Sequence, residues 1–168
     1  MVKMLPKNEK GLEKEYQRCQ KSFVTVNKES YKDYFEEAFS DLESADKEEN
    51  DKWAIAKAYQ ALFLYCNGLL VKKTGFYSKD HGCVIIGLFK NNIVSKEILE
   101  KIHKMLEEKK KVFTEIELKD NFFEEISKIR ISRNKYLYLP KTQRELKESP
   151  KQRVKEVKEI IKILSEIE

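Results

Sequence analysis

Along most of the chain, apolar residues recur at three- and four-residue spacing, the period of helices with one buried face. The stretch SYKDYFEEAFSDLESA, residues 30 to 45, lines up Tyr31, Tyr34, Phe35, Ala38, Phe39, Leu42 and Ala45, with Ser30 in the place of an N-cap. The next stretch, DKWAIAKAYQALFLYCNGLLVKK (51–73), is apolar on most sides, which predicts a helix at the centre of a bundle. TGFYSKDHG reads as a loop, and CVIIGLF as a short helix broken by the KNN that follows. Ser95 then caps a helix over 95–113 with Ile98, Ile102, Met105 and Leu106 on its inner face. Asp120 or Asn121 caps another, NFFEEISKIRISRNKYL, which puts Phe122, Ile126, Ile129 and Arg133 on one line.

A polar link through Pro140 and Pro150 leads to a last helix, where Val154, Val157, Ile161 and Leu164 form a seam flanked by Ile160, Ile163 and Ile167. Before residue 30 there is one short helical candidate, with Leu12, Tyr16, Cys19 and Phe23 at helical spacing. Short links make neighbouring helices antiparallel. The expected fold is therefore all-α, an up-and-down antiparallel bundle over residues 30–168 with an N-terminal helical extension over 1–29.

Composition agrees with that pattern. In 168 residues there are only 5 glycines and 3 prolines, too few for many tight turns. Charged residues make up 38%, mostly the good helix formers Lys and Glu. The net charge of +5 arises from 34 cations against 29 anions, a mild basic bias and no overwhelming field. MVKMLPKNEKGLEKE lacks the apolar core of a signal peptide, and Lys57, Gln60 and Asn67 interrupt the most apolar window, so no membrane span is expected. Cys19, Cys66 and Cys83 form no CxxC pair, which predicts free thiols and a reducing, cytoplasmic setting.

Most familiar chemistry is missing. Glu100 and His103 in EKIH make a single i, i+3 pair, whereas a carboxylate-bridged metal bundle needs that pair twice. Both are expected to face solvent, so neither a metal nor a cofactor is expected. There is no GxSxG, no P-loop and no GxGxxG.

The segment from Lys57 to Phe89 resembles the HEPN family of small helical domains linked to nucleotides and RNA. Ala56, Ala58, Tyr59, Ala61 and Phe63 match its alanine- and aromatic-rich helix; His81, Gly82, Val84, Ile85, Leu88 and Phe89 match the start and body of the helix that follows. The resemblance extends from about Tyr31 to the end of the chain. It implies a helical domain that pairs as a homodimer, with paired arginine motifs facing across a cleft. It also implies metal-independent RNA cleavage by attack of a 2′-hydroxyl on the adjacent phosphate, carried by an Arg-x(4–6)-His motif on a late helix.

Here that motif is incomplete. Arg133 is followed by Asn134, as in many members, but the histidine positions hold Tyr138, Leu139 and Pro140; counted from Arg130 they hold Lys135, Tyr136 and Leu137. Tyrosine, with a pKa of about 10, is a poor base at neutral pH. Arg133 can still hold phosphate in bidentate fashion, with Asn134 orienting it and Tyr138 in the histidine's place. Arg130, Lys135 and Tyr136 are the further nucleic-acid contacts, with Tyr136 and Tyr138 able to stack on bases. His81 is expected to pack or cap locally.

The resemblance thus implies a divergent protein that binds RNA or nucleotide, tied to a toxin–antitoxin or defence system, with ribonuclease activity weak or lost. Its expected partners are a second copy and a minimal nucleotidyltransferase protein. Two plainer readings compete with it. The basic cluster is also what a helix C-terminus favours, with Arg133 paired to a glutamate. The bundle would then be a non-catalytic module that binds another protein.

Overall fold

The computed structural model describes residues 8–107, 114–139 and 149–167. Among these, α1 (Glu9–Cys19) and a short strand β1 (Phe23–Thr25) precede α2 (Tyr31–Lys47) and α3 (Asp51–Thr74). A second strand, β2 (Phe76–Ser78), leads to α4 (His81–Lys90), α5 (Lys96–Glu107), α6 (Glu115–Tyr138) and α7 (Pro150–Leu164). The all-α expectation holds, with one minute sheet added.

α3 organises the rest. α2, α6 and α7 each pack against it, as does α4; α5 packs on α6 and α7. Small residues allow this crowding: Ala58 and Ala61 are fully buried, and Gly68 lies so close to α2 that a Cβ there would stand 2.6 Å from the Phe35 ring. α3 is long and apolar enough to cross a membrane by length and composition, but 72% of its apolar window is buried within the fold. Asn50 caps its start by accepting from the Lys52 amide, and Gly75, at φ 78°, ends it in the left-handed conformation that glycine adopts freely. On α7 the predicted seam of Val154, Val157, Ile161 and Leu164 is buried, with Ile160 beside it.

Several local expectations change. α6 starts at Thr114, in a capping box with Glu117, so Asp120 and Asn121 lie inside the helix. The apolar rhythm could not reveal this, because the extra first turn is rich in charged helix formers. Ser30 makes no side-chain cap: its hydroxyl donates to the Asn27 carbonyl instead. Phe39, assigned to the inner stripe, is half exposed. EKIH is split, since Glu100 is exposed whereas His103 is buried, its Nδ1 3.3 Å from Asn121 Nδ2. The side chain of Leu106, together with Pro140 and the 108–113 end of the expected fifth helix, lies outside what the structure describes.

The N-terminal segment is fastened to the bundle. α1 packs on α4, where Glu13 pairs with Lys90 at 2.5 Å. Phe23, expected on a helix, sits in β1, which pairs antiparallel with β2 in the expected loop, Val24 opposite Tyr77. Asn67 anchors that ribbon to α3: it donates to the Ser78 carbonyl and accepts from the Ser78 amide, both at 3.0 Å. Cys19 and Cys83 form a disulfide across a sequence separation of 64, which corrects the expectation of three free thiols. Spacing along the chain could not foretell a contact made only when α1 docks on α4. Cys66 is the free cysteine, buried in α3 with its thiol pushed up to about 12 by desolvation, and so protonated and inert.

Candidate nucleic-acid site

α6 buries Phe122, Ile126 and Ile129, and one turn later the same line reaches Arg133, which is half-buried. Among the described residues its guanidinium neither caps the helix end nor meets a glutamate. Nε and Nη2 both donate to Asn134 Oδ1, at 3.1 and 2.6 Å, and Cζ lies 4.7 Å over the ring of Tyr59 on α3. Among the described residues no carboxylate pairs with Arg133 or with the exposed Arg130. Arg133 is therefore held in place by a neutral acceptor and a π face, which orient it while leaving its charge uncancelled.

Beneath it lies an aromatic layer. Tyr59 is almost wholly buried, and its hydroxyl is hydrogen-bonded to His81 Nδ1. His81 is the first residue of α4; its ring stacks on Phe63 at 3.9 Å and 14°, and is nearly parallel to Tyr59 at 5.1 Å. It packs as expected, but the capping belongs to Asp80, whose carboxylate accepts from the Cys83 amide at 3.0 Å. A small apolar notch opens beside the stack between Phe63, His81, Ile85 and Ile126.

The charges act on this layer. Burial pushes the Tyr59 phenol well above its ordinary pKa, opposed by Arg130 and Arg133. Desolvation, reinforced by the same two arginines and only weakly opposed by Asp80, lowers His81 to about 4. At neutral pH, then, the centre holds two guanidiniums, a protonated phenol and an uncharged imidazole.

The remaining residues singled out in the sequence spread around the end of α6. Ile131, Asn134 and Tyr138 share a face at i, i+3 and i+7, and Tyr138, the last helical residue, is 75% exposed. Tyr136 and Lys135 are half-buried; at about 100° per residue, Lys135 lies on the far side of the helix from Arg133. Arg130, Arg133 and Asn134 are the group brought together. Tyr59 and His81 complete it, and no sequence signal placed either beneath Arg133, since α3 and α4 meet α6 only in the packed bundle.

The HEPN domain family model matches residues 31–167, and the chain belongs to that family. No curated protein and no solved structure matches it. Membership of the family supports a nucleotide- or RNA-binding role.

Proposed function

We propose that this protein binds RNA through the end of α6, with Arg130 and Arg133 on the phosphates. The observation that carries the reading is the Arg133 guanidinium, clamped by Asn134 and Tyr59 with no carboxylate paired to it among the described residues. A helix-end arginine of no function has no need of such a mount. Tyr138, exposed beside Asn134, is a base-stacking surface worth about 1–3 kcal/mol per base. Cleavage is weak or lost, because α6 offers no imidazole and Tyr138 is a poor proton acceptor near neutral pH. The setting we propose, from family analogy, is a toxin–antitoxin or defence system with a minimal nucleotidyltransferase partner. Pairing of two copies belongs to the same proposal, with the exposed Ile131 on α6 as apolar surface such pairing would cover.

Fluorescence anisotropy of a labelled single-stranded RNA, read at two salt concentrations with cleavage assayed in the same tubes, tests this. Salt-sensitive binding without cleavage, weakened at least tenfold by Arg133→Ala, is the expected result. An RNA that wild type fails to bind would sink the proposal.

A further inference from the structure

We propose that His81 is a third anion contact of this site, an uncharged imidazole whose Nε2–H donates to the phosphate held by Arg130 and Arg133, with Tyr59 as its positioning residue. The inference rests on the RNA-binding role proposed above. It begins from how firmly the ring is fixed: one face lies on Phe63, and the Nδ1 edge is taken by the Tyr59 hydroxyl.

A phenol–imidazole hydrogen bond can run either way, and the surroundings set its direction. Tyr59 keeps its proton because it is buried. Arg133 stands over the face of its ring and draws electron density from it, which makes the O–H a stronger donor. Tyr59 therefore donates to Nδ1, and in a neutral imidazole the proton then resides on Nε2, at the opposite edge.

Every charged group facing the ring favours that neutral form except one. Arg130 and Arg133 on α6 and the N-terminus of α4 itself disfavour an imidazolium, while Tyr59 on α3 is uncharged. Asp80 alone favours it, and its carboxylate is engaged by the Cys83 amide. The site is thus two fixed cations and one neutral donor, a set that recognises a phosphodiester without moving a proton. Its grip on RNA should be flat in pH where a protonated histidine would tighten it.

The chain contains only two histidines, so nitrogen-15 NMR of the imidazoles in the full-length protein reports His81 directly, with His103 as internal reference. The expected result is an Nε2–H tautomer in the free protein, and a shift of His81 Nε2 on adding a single-stranded RNA oligonucleotide while His103 stays put. In anisotropy, His81→Ala should weaken binding roughly tenfold, and His81→Gln, whose amide can stand in for Nε2–H, should recover most of it. Affinity should be constant from about pH 5.5 to 8. An Nδ1–H tautomer, unmoved His81 resonances in an RNA-saturated sample, or affinity rising as pH falls through about 6.5 would each overturn the neutral-donor assignment. If the RNA binds and Arg133→Ala weakens it in any of those cases, the α6 site survives and only His81's role falls. If wild type binds no RNA, both fall together. The NMR arm uses wild type alone and is indifferent to whether the variants fold.

Discussion

The Arg133 guanidinium lies 4.7 Å over the ring of Tyr59, so a cation near the end of one helix is mounted on the buried core of another. That relationship joins stability to recognition: Tyr59 both packs α3 and sets where the charge points. Truncating Arg133 should cost about 1.5–3 kcal/mol of RNA binding, as for a hydrogen bond to a charged group. The log–log salt slope on single-stranded RNA should become shallower by about 0.7 as one phosphate contact is lost. Arg133→Lys should recover the charge but not the forked geometry, and so only part of the affinity. Anisotropy titrations over a salt series would show both effects.

Tyr138 offers a cleaner separation of binding from folding. At 75% exposure it contributes little packing, so Tyr138→Ala should change stability by less than about 0.5 kcal/mol. Its loss should nevertheless weaken RNA binding by about 1–3 kcal/mol if it stacks on a base. Paired denaturant melts and binding curves on the one variant decide this; unchanged affinity would remove Tyr138 from the interface.

The state of His81 makes stability depend on acid. Its pKa falls from the ordinary 6.5 to about 4 in the folded chain. The unfolded chain therefore takes up a proton on His81 below about pH 6.5, while the folded chain resists until about 4. This contribution is complete above pH 6.5 and drains away as pH falls through that interval. His81→Phe, which keeps the stack on Phe63 and cannot titrate, should flatten the corresponding part of a stability-against-pH curve measured by urea unfolding.

Reducing Cys19–Cys83 should destabilise the protein, since the bridge closes a separation of 64 residues. The chain-entropy estimate for such a loop is about 4 kcal/mol. At about 2–4 °C per kcal/mol for a chain of this size, melting should drop by roughly 10 °C in dithiothreitol. Hydrogen exchange should rise first in α1 and β1, which the bridge ties to α4.

Gly68→Ala tests the closeness of α2 and α3. The added methyl would meet the Phe35 ring at 2.6 Å, and that ring is stacked on Tyr65 at 4.5 Å and edge-on to Tyr31, with little room to retreat. A loss of about 1–3 kcal/mol is expected by denaturant unfolding. A neutral result would mean that the two helices separate more easily than their packing indicates.

What was legible in the sequence follows the range of the forces involved. Helix rhythm is local, so the apolar lines Phe122–Ile126–Ile129 and Val154–Val157–Ile161–Leu164 pointed to the faces that are buried. The same rhythm is silent where charged helix formers fill a first turn, and so the Thr114 start of α6 was hidden. Phe23 fitted a helical stripe equally well, but its strand partner lies at Ser78, beyond the reach of a local pattern.

By itself the sequence determined the all-α bundle, the central place of the alanine-rich helix, and the presence of Arg130, Arg133 and Asn134 on consecutive turns without the family's histidine. These depend on periodicity and composition, which are properties of neighbours along the chain. Only the tertiary structure decided that Cys19 reaches Cys83, that His103 is buried, and that Tyr59 and His81 lie under the arginines. Each is a contact between segments distant in sequence, and such contacts are chosen by how whole helices pack, a choice that no single segment encodes.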